Sequence, residues 1–149
     1  MSLSPLQIAR YQYAPKLPGM LRKGISEISV KTGEATQSVA DQEKIAALFP
    51  NTYGKNEVTF EIGKNTSEAK KQVVGVILSG GQAPGGHNVV CGLYDALKAT
   101  NADNVLYGFK GGPSGLLEDN YLIFDDAYIN QFRNTGGFDI IGSGRTKLE

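Results

Sequence analysis

The sequence predicts an α/β fold with a parallel sheet, and three features carry this prediction. The apolar run at 73–78 is followed by a glycine-rich stretch at 79–86, and residues 87–99 then have apolar side chains at helical spacing. Further apolar runs occur at 104–109 and 138–141. Continuous apolar strands that alternate with helices are typical of a parallel sheet with both faces covered.

Composition bounds the class of protein. The chain has 149 residues, of which 40% are hydrophobic, and its formal net charge is zero. This length suits one domain, and the lack of a basic excess argues against nucleic-acid binding. No apolar run approaches the ~20 residues of a membrane span, and the N-terminus lacks the apolar core of a signal peptide. Cys91 is the only cysteine, so no intrachain disulfide can form, and we expect a cytoplasmic protein.

Residues 1–36 are predicted to be an irregular N-terminal arm. Residues that break regular structure are frequent there, namely Pro5, Pro15, Pro18 and Gly19. Terminal segments of this kind are often loosely ordered.

Residues 37–72 are predicted to add a helix and a strand. Ser38 is suited to cap a helix over 38–49, whose apolar side chains share one face. Residues 56–62 alternate between apolar and polar, as a half-buried strand does. The polar stretch 63–71 then predicts a turn or a short helix.

Residues 73–149 are predicted to form a partial α/β lobe. After the second apolar strand we expect a structural turn at 111–115, a short extended piece at 122–124 and a helix capped by Asp125. The strands have the composition of strands buried on both faces, yet few helices are available to cover them. The lobe is therefore expected to expose apolar surface and to self-associate.

Ligand-binding loops are expected at one edge of this sheet. Parallel sheets bind ligands at the carboxyl ends of their strands, so the loops after 73–78 and after 138–141 should lie together. In the first loop, Gly80 and Gly81 let backbone N–H groups approach an anion beside a helix N-terminus. The same glycines also suit a tight strand-to-helix turn without a ligand. His87, the only histidine, is expected to orient this loop through hydrogen bonds or to face solvent.

Four segments carry a resemblance to a known family. Ser-Gly-Gly-Gln-Ala-Pro-Gly-Gly-His-Asn at 79–88 resembles the first phosphate-binding loop of the phosphofructokinases. Three further segments resemble the long, pyrophosphate-dependent branch of that family. They are 48–54 (Leu-Phe-Pro-Asn-Thr-Tyr-Gly), 107–115 (Tyr-Gly-Phe-Lys-Gly-Gly-Pro-Ser-Gly) and 137–147 (Gly-Phe-Asp-Ile-Ile-Gly-Ser-Gly-Arg-Thr-Lys). The segments occur in the family's order. The resemblance implies a Rossmann-like parallel sheet of the phosphofructokinase fold, of which the chain holds the N-terminal part only.

The resemblance also implies a binding site for diphosphate. Gly81 would contact pyrophosphate, and the planar guanidinium of Arg145 would bind the transferred phosphate chain. Without the resemblance, the arginine and its neighbours would be interpreted as a solvated basic segment. The residues implied for diphosphate binding are Gly80, Gly81, Gln82, Arg145, Thr146 and Lys147.

The activity that the resemblance implies is phosphoryl transfer from pyrophosphate to fructose 6-phosphate, which gives fructose 1,6-bisphosphate in glycolysis. Mg²⁺ would be the cofactor, and the parent enzyme would be a homo-oligomer, namely a dimer, without nucleic-acid or membrane partners. The family's catalytic Thr-Ile-Asp motif, and the Mg²⁺-binding aspartate that follows a Gly-Gly pair, do not occur in the chain. We therefore expect no catalytic residue and no metal ligand in these residues, which would be inactive alone.

Two other functions stay open at this point. An ATP-dependent phosphofructokinase of the same fold would use the same loops, although such enzymes usually have aspartate at the position of Gln82. A non-catalytic regulatory subunit would keep the phosphate-binding loops and lose the catalytic motif.

Overall fold

The computed structural model describes residues 3–24, 27–63 and 70–147. The chain forms two compact units. One unit consists of Met1–Pro15 together with Glu68–Glu149, and the other of Lys16–Ser67. Most of the segment predicted to be a turn or short helix before the sheet lies outside the described residues.

A capped helix, α1 (Pro5–Gln12), lies within the arm that is predicted to be irregular. The Ser4 hydroxyl accepts a hydrogen bond from the backbone N–H of Gln7, and the Gln7 side chain accepts one from the N–H of Ser4. This capping box satisfies two N–H groups at the helix start. Pro5 occupies the first turn, where proline costs no hydrogen bond and its fixed φ favours the helix, so it does not act as a breaker.

The unit Lys16–Ser67 contains a two-stranded antiparallel ribbon. A 3₁₀ turn (Gly19–Lys23) precedes β1 (Ile28–Ala35), which pairs with β2 (Asn56–Ile62). The prediction that residues 1–36 are irregular is therefore wrong at β1 as well as at α1. The bounds of β2 match the predicted strand.

One face of this ribbon is apolar and exposed. Val30 lies opposite Phe60 and Ile28 lies opposite Ile62, so the four side chains share a face. Val30 is 62% exposed, and Phe60 and Ile62 are each 61% exposed. The prediction that β2 is half-buried is wrong, because every residue of the strand is exposed.

The helix of this unit is shorter than predicted. α2 (Gln42–Leu48) has Asp41 as its N-cap residue, with φ of 52°, in place of the predicted Ser38. The Ser38 hydroxyl donates to the carbonyl oxygen of Ala40 at 2.9 Å. Local bonds of this type hold serine in a turn and compete with the start of a helix.

The other unit is built on a three-stranded sheet. β3 (Val73–Val76) and β4 (Val105–Phe109) are parallel, and β5 (Tyr121–Ile123) pairs with β4 in the antiparallel sense. The predicted α/β fold is confirmed, with the difference that the sheet is mixed because the piece expected at 122–124 joins it. The helices are α3 (Gly86–Thr100), α4 (Pro113–Leu117) and α5 (Asp126–Phe132).

Residues 138–141 form a turn and not the predicted strand. Gly136, Gly137 and Gly142 flank it with positive φ values of 69°, 111° and 68°. These backbone conformations bend the chain away from an extended path. The apolar run is therefore buried through packing of a turn and not through strand pairing.

The core of this unit lies where α3, α5, the sheet and the 138–141 turn meet. Close packing depends on Gly108 of β4, because a Cβ there would stand 2.5 Å from Cζ of Phe124 and 2.7 Å from Cγ2 of Ile141. Coverage of the sheet is incomplete, since Val73 of β3 is 65% exposed. The buried apolar residues are Val90, Cys91, Tyr94, Leu97, Leu106, Phe124, Ile129, Ile140 and Ile141.

Candidate functional site

The glycine loop, residues 79–86, joins β3 to α3 and presents free backbone donors. Gly80 has φ of 107°, which only glycine adopts readily, and Gly85 is the N-cap residue of α3. Within the described residues, the backbone N–H groups of Gly81 and Gln82 donate to no acceptor. Free N–H groups beside a helix N-terminus are available to an anion.

The basic loop, residues 142–147, lies against the glycine loop. The carbonyl of Gly144 accepts a hydrogen bond from the N–H of Gly80 at 2.8 Å, and Gly144 forms an isolated parallel bridge with Ser79. The next residue, Arg145, has its Nη2 atom 3.1 Å from the position that a Cβ would take on Gly81. The two loops expected at one edge therefore do lie together.

A further glycine turn packs against the basic loop. The Gly111 N–H donates to the carbonyl of Ile141 at 2.8 Å. A Cβ on Gly112 would stand 2.7 Å from Cα of Gly144, and a Cβ on Gly144 would overlap the carbonyl oxygen of Gly111. Sequence reasoning predicts a structural turn here but misses its contact with the basic loop. The sequence gives one indication of this contact, namely that both segments are rich in glycine. That indication can be understood only once the contact is known.

His87 is buried at the start of α3 and is 4% exposed. Its Nδ1 lies 2.8 Å from Oγ1 of Thr135, which itself donates to the carbonyl of Phe132 at 2.7 Å. In a neutral ring that donates from Nδ1 to Oγ1, whose own proton is used in that second bond, Nε2 is an acceptor. Nε2 accepts a hydrogen bond from the Ile140 N–H at 3.1 Å. Of the two expectations for His87, exposure to solvent is wrong. The ring does form hydrogen bonds, but with Thr135 and Ile140 and not with the glycine loop, so the orientation of that loop by His87 stays a prediction.

Arg145 is an exposed cation without an anionic partner among the residues that the structure describes. Its guanidinium forms no hydrogen bond or ion pair with any other residue of the described ranges. Apart from atoms of the chain neighbours of Gly81, its Nη2 is the one atom of the described residues within 4 Å of the Cβ position on Gly81. The structure thus brings Gly80, Gly81 and Arg145 together. Of the remaining predicted residues, Gln82 lies in the glycine loop, and Thr146 and Lys147 follow Arg145 and are exposed.

The helix that follows the glycine loop is fixed against α5. Arg133 donates to both carboxylate oxygens of Asp95, at 2.5 and 2.9 Å, and this hydrogen bonding raises the pKa of Arg133. The Tyr94 hydroxyl donates to Asp126 at 3.0 Å, and burial, followed by this hydrogen bond, raises the pKa of Tyr94. Burial likewise raises the pKa of the Cys91 thiol. These bonds join α3, which follows the glycine loop, to α5 and the residue after it.

Comparison with known proteins points to one family. No family model matches the chain. A pyrophosphate–fructose 6-phosphate 1-phosphotransferase of Porphyromonas gingivalis is 50% identical over 149 residues, which are all of this chain and 27% of that protein. The protein of the same name from Treponema pallidum is 44% identical over 158 residues, covering all of this chain and 28% of that protein. Subunit beta 1 of the Arabidopsis thaliana enzyme is 41% identical over 147 residues, 98% of this chain and 25% of the subunit.

The chain is homologous to these phosphotransferases along its length. The family resemblance seen in the four sequence motifs is thereby confirmed. The chain spans about a quarter of the length of these phosphotransferases.

The Mg²⁺ that the family resemblance implies does not fit these residues. The described part of the chain contains no group of three or more His, Cys, Asp or Glu side chains that could hold a metal ion. Asp125 instead caps α5, as predicted, by accepting a hydrogen bond from the Tyr128 N–H at 2.7 Å. The described residues therefore offer a candidate anion site and no candidate metal site.

Proposed function

We propose that the chain is part of a pyrophosphate-dependent 6-phosphofructokinase, a phosphotransferase with an alcohol acceptor. The enzyme would transfer a phosphoryl group from pyrophosphate to the 1-hydroxyl of fructose 6-phosphate and give fructose 1,6-bisphosphate. The observation that carries the proposal is the 41–50% identity to relatives whose names state both substrates.

In this proposal the glycine loop and the basic loop hold the pyrophosphate. The unpaired N–H groups of Gly81 and Gln82 would donate to phosphate oxygens at the positive end of α3. The guanidinium of Arg145, which has no partner in the described ranges, would present two parallel N–H donors to the phosphate chain. The proposed diphosphate-binding residues are Gly80, Gly81, Gln82, Arg145, Thr146 and Lys147.

The contribution of this chain to catalysis would be positioning and electrostatic stabilisation of the donor. Phosphoryl transfer spreads negative charge over the oxygens of the transferred group, and fixed N–H donors and cations stabilise that charge. The group that takes the proton from the sugar hydroxyl, the sugar-phosphate site and the Mg²⁺ ligands are proposed to lie outside these residues. The 149-residue chain should therefore be inactive alone, and a coupled assay in which turnover scales with the purified chain would contradict this.

An oligomeric, cytoplasmic enzyme is part of the same proposal. The Arabidopsis relative is named as a subunit, which supports assembly into an oligomer, here proposed to be a homodimer. The exposed apolar pair Val30 and Phe60 gives a further reason to expect association. None of the described helices is both long enough and apolar enough to cross a bilayer.

The proposal is tested with the full-length protein that carries this chain. Purified enzyme is given fructose 6-phosphate with either pyrophosphate or ATP, and product formation is followed in a coupled assay. We expect turnover with pyrophosphate that exceeds turnover with ATP. Faster turnover with ATP would favour an ATP-dependent phosphofructokinase. Binding of pyrophosphate without turnover from either donor would favour a regulatory subunit.

A further inference from the structure

The segment that leads to Arg145 is held by separate hydrogen bonds and not by a strand. Residues 138–141 form a turn, so no ladder of backbone bonds fixes their register against the sheet. The Gly137 N–H donates to the carbonyl of Pro84 at 2.8 Å, and the Gly144 N–H donates to the carbonyl of Leu78 at 3.3 Å. Between these two points, the path of the chain depends on a few individual contacts.

His87 makes two of these contacts from a buried position. Its backbone N–H donates to the carbonyl of Gly137 at 2.8 Å, and its Nε2 accepts from the Ile140 N–H at 3.1 Å. A neutral ring that donates from Nδ1 to Thr135 carries its one proton there, and its Nε2 lone pair then accepts from the Ile140 N–H. A buried backbone N–H that loses its acceptor is costly, so this bond fixes the middle of the turn.

We propose that His87 is a positioning residue for the pyrophosphate site. The Nε2 lone pair of His87 holds the Ile140 N–H and so sets the path by which the chain brings Arg145 to Gly81. The role of the ring is to place the guanidinium and not to contact the substrate. This inference rests on the proposed function for its ligand, and its structural part is testable without one.

Asp139 competes for the same ring nitrogen. Its Oδ1 atom lies 2.6 Å from Nε2 of His87, and its side chain is 78% exposed. One Nε2 atom cannot donate to Asp139 and accept from Ile140 at the same time, because the first bond needs a proton and the second a lone pair. Only a ring whose Nε2 has a free lone pair accepts from the Ile140 N–H and can position the turn. Asp139→Ala removes the competing carboxylate and should therefore leave the Ile140 bond intact.

The test compares amide hydrogen exchange in the 149-residue chain and its variants. Glutamine at position 87 reaches far enough to offer an acceptor near the place of Nε2, whereas asparagine does not. In His87→Asn, exchange should quicken on the order of tenfold at Ile140 and also quicken at Gly144, next to Arg145. His87→Gln should restore most of the protection. The inference is overturned if Gly144 exchanges as in the wild type in His87→Asn, or if the two variants behave alike.

A second variant covers the case in which His87→Asn does not fold. Thr135→Val removes the partner of Nδ1 and should loosen the ring, with faster exchange at Ile140. Its matched control is Thr100→Val, since the exposed Thr100 hydroxyl donates only to the carbonyl of Ala96 on α3. Equal exchange at Ile140 in the two threonine variants would also overturn the inference.

Binding of inorganic pyrophosphate separates a positioning role from a purely structural one, because a purely structural bond would not affect the dissociation constant. His87→Asn should raise the dissociation constant several-fold, and His87→Gln should return it towards the wild-type value. An unchanged constant in folded His87→Asn would contradict the positioning role. If the wild-type chain does not bind pyrophosphate, the proposed donor site fails, and the exchange data still decide whether His87 fixes the turn.

Discussion

Arg145 reaches Gly81 across two loops, with its Nη2 3.1 Å from the place that a Cβ would take on the glycine. The guanidinium has no partner in the described part of the chain, and the Gly81 N–H has no acceptor there. An unpaired cation and an unpaired backbone donor on adjoining loops can bind the same anion. The absence of a side chain on Gly81 keeps the space between them open.

The two glycines of this loop should respond differently to alanine. Gly81 does not have positive φ, so Gly81→Ala should change the free energy of unfolding little, while the methyl group displaces the end of Arg145 and weakens pyrophosphate binding. Gly80 has φ of 107°. Gly80→Ala should therefore destabilise the fold by about 1–3 kcal/mol. Urea unfolding and calorimetric titration measure the two effects, and equal destabilisation by both alanines would contradict this prediction.

Arg145 should matter more for turnover than His87. In the full-length enzyme, Arg145→Ala should remove about 2–4 kcal/mol of transition-state stabilisation, on the order of a hundredfold or more in rate. Arg145→Lys should recover only part of this, because an ammonium group has no planar fork. The measurement is steady-state kinetics with pyrophosphate varied.

His87→Asn serves as the comparison in the same kinetics. A residue that only orients the turn should lower the rate by less than about tenfold, since one lost hydrogen bond is worth about 0.5–1.5 kcal/mol. A severely impaired His87→Asn enzyme together with a near wild-type Arg145→Ala enzyme would show that the site is assigned wrongly.

The strand, glycine loop and helix from β3 to α3 are predictable because their signals are local. An apolar run, a cluster of glycines and helical spacing follow each other without interruption, and the structure differs from the predicted bounds by only one or two residues. The strand expected at 138–141 is absent because a short apolar run is equally compatible with a buried turn. Only the three-dimensional structure reveals the positive φ of the flanking Gly137 and Gly142.

The contacts within the candidate site could not be predicted from the sequence. The six diphosphate residues came from a family resemblance, and their binding role stays a prediction. The approach of Arg145 to Gly81 joins residues far apart in the chain, and no local pattern encodes it. The same holds for the contact between Gly112 and Gly144, and for the bond between His87 and Ile140.

The Cys91 thiol should be unreactive in the folded chain. Burial raises the pKa of Cys91, with a smaller opposite effect from Arg133, and the thiolate is the form that reacts with alkylating agents. Because folding favours the neutral thiol, this contribution to stability is complete below the ordinary thiol pKa of about 8.5 and is lost as pH rises through the folded value. Iodoacetamide labelling should be slow at pH 8 and fast in urea. Equal labelling rates in the two states would contradict the burial of Cys91.

The apolar face of the β1–β2 ribbon should promote self-association. Replacing Val30 and Phe60 together by threonine keeps residues suited to strands and removes apolar surface. We expect the wild-type chain to form dimers or larger species at micromolar concentration and the double variant to shift towards monomer. Lys31→Thr, on the opposite face, is the control and should behave as the wild type. Light scattering measures the masses, and a monomeric wild-type chain would refute the expectation.

The most direct test of the central claim is a titration of the chain with inorganic pyrophosphate, followed by the NMR signals of its backbone amides. In the wild type, the Gly81 and Gln82 signals should shift and saturate, because their N–H groups have no acceptor in the described part of the chain and Gly81 lies beside Arg145. In Arg145→Ala the same shifts should require much higher pyrophosphate or disappear, while Lys44→Ala, a cation in the other unit, should leave them unchanged. Wild-type signals that do not move, or that move equally in Arg145→Ala, would contradict a pyrophosphate site formed by these two loops.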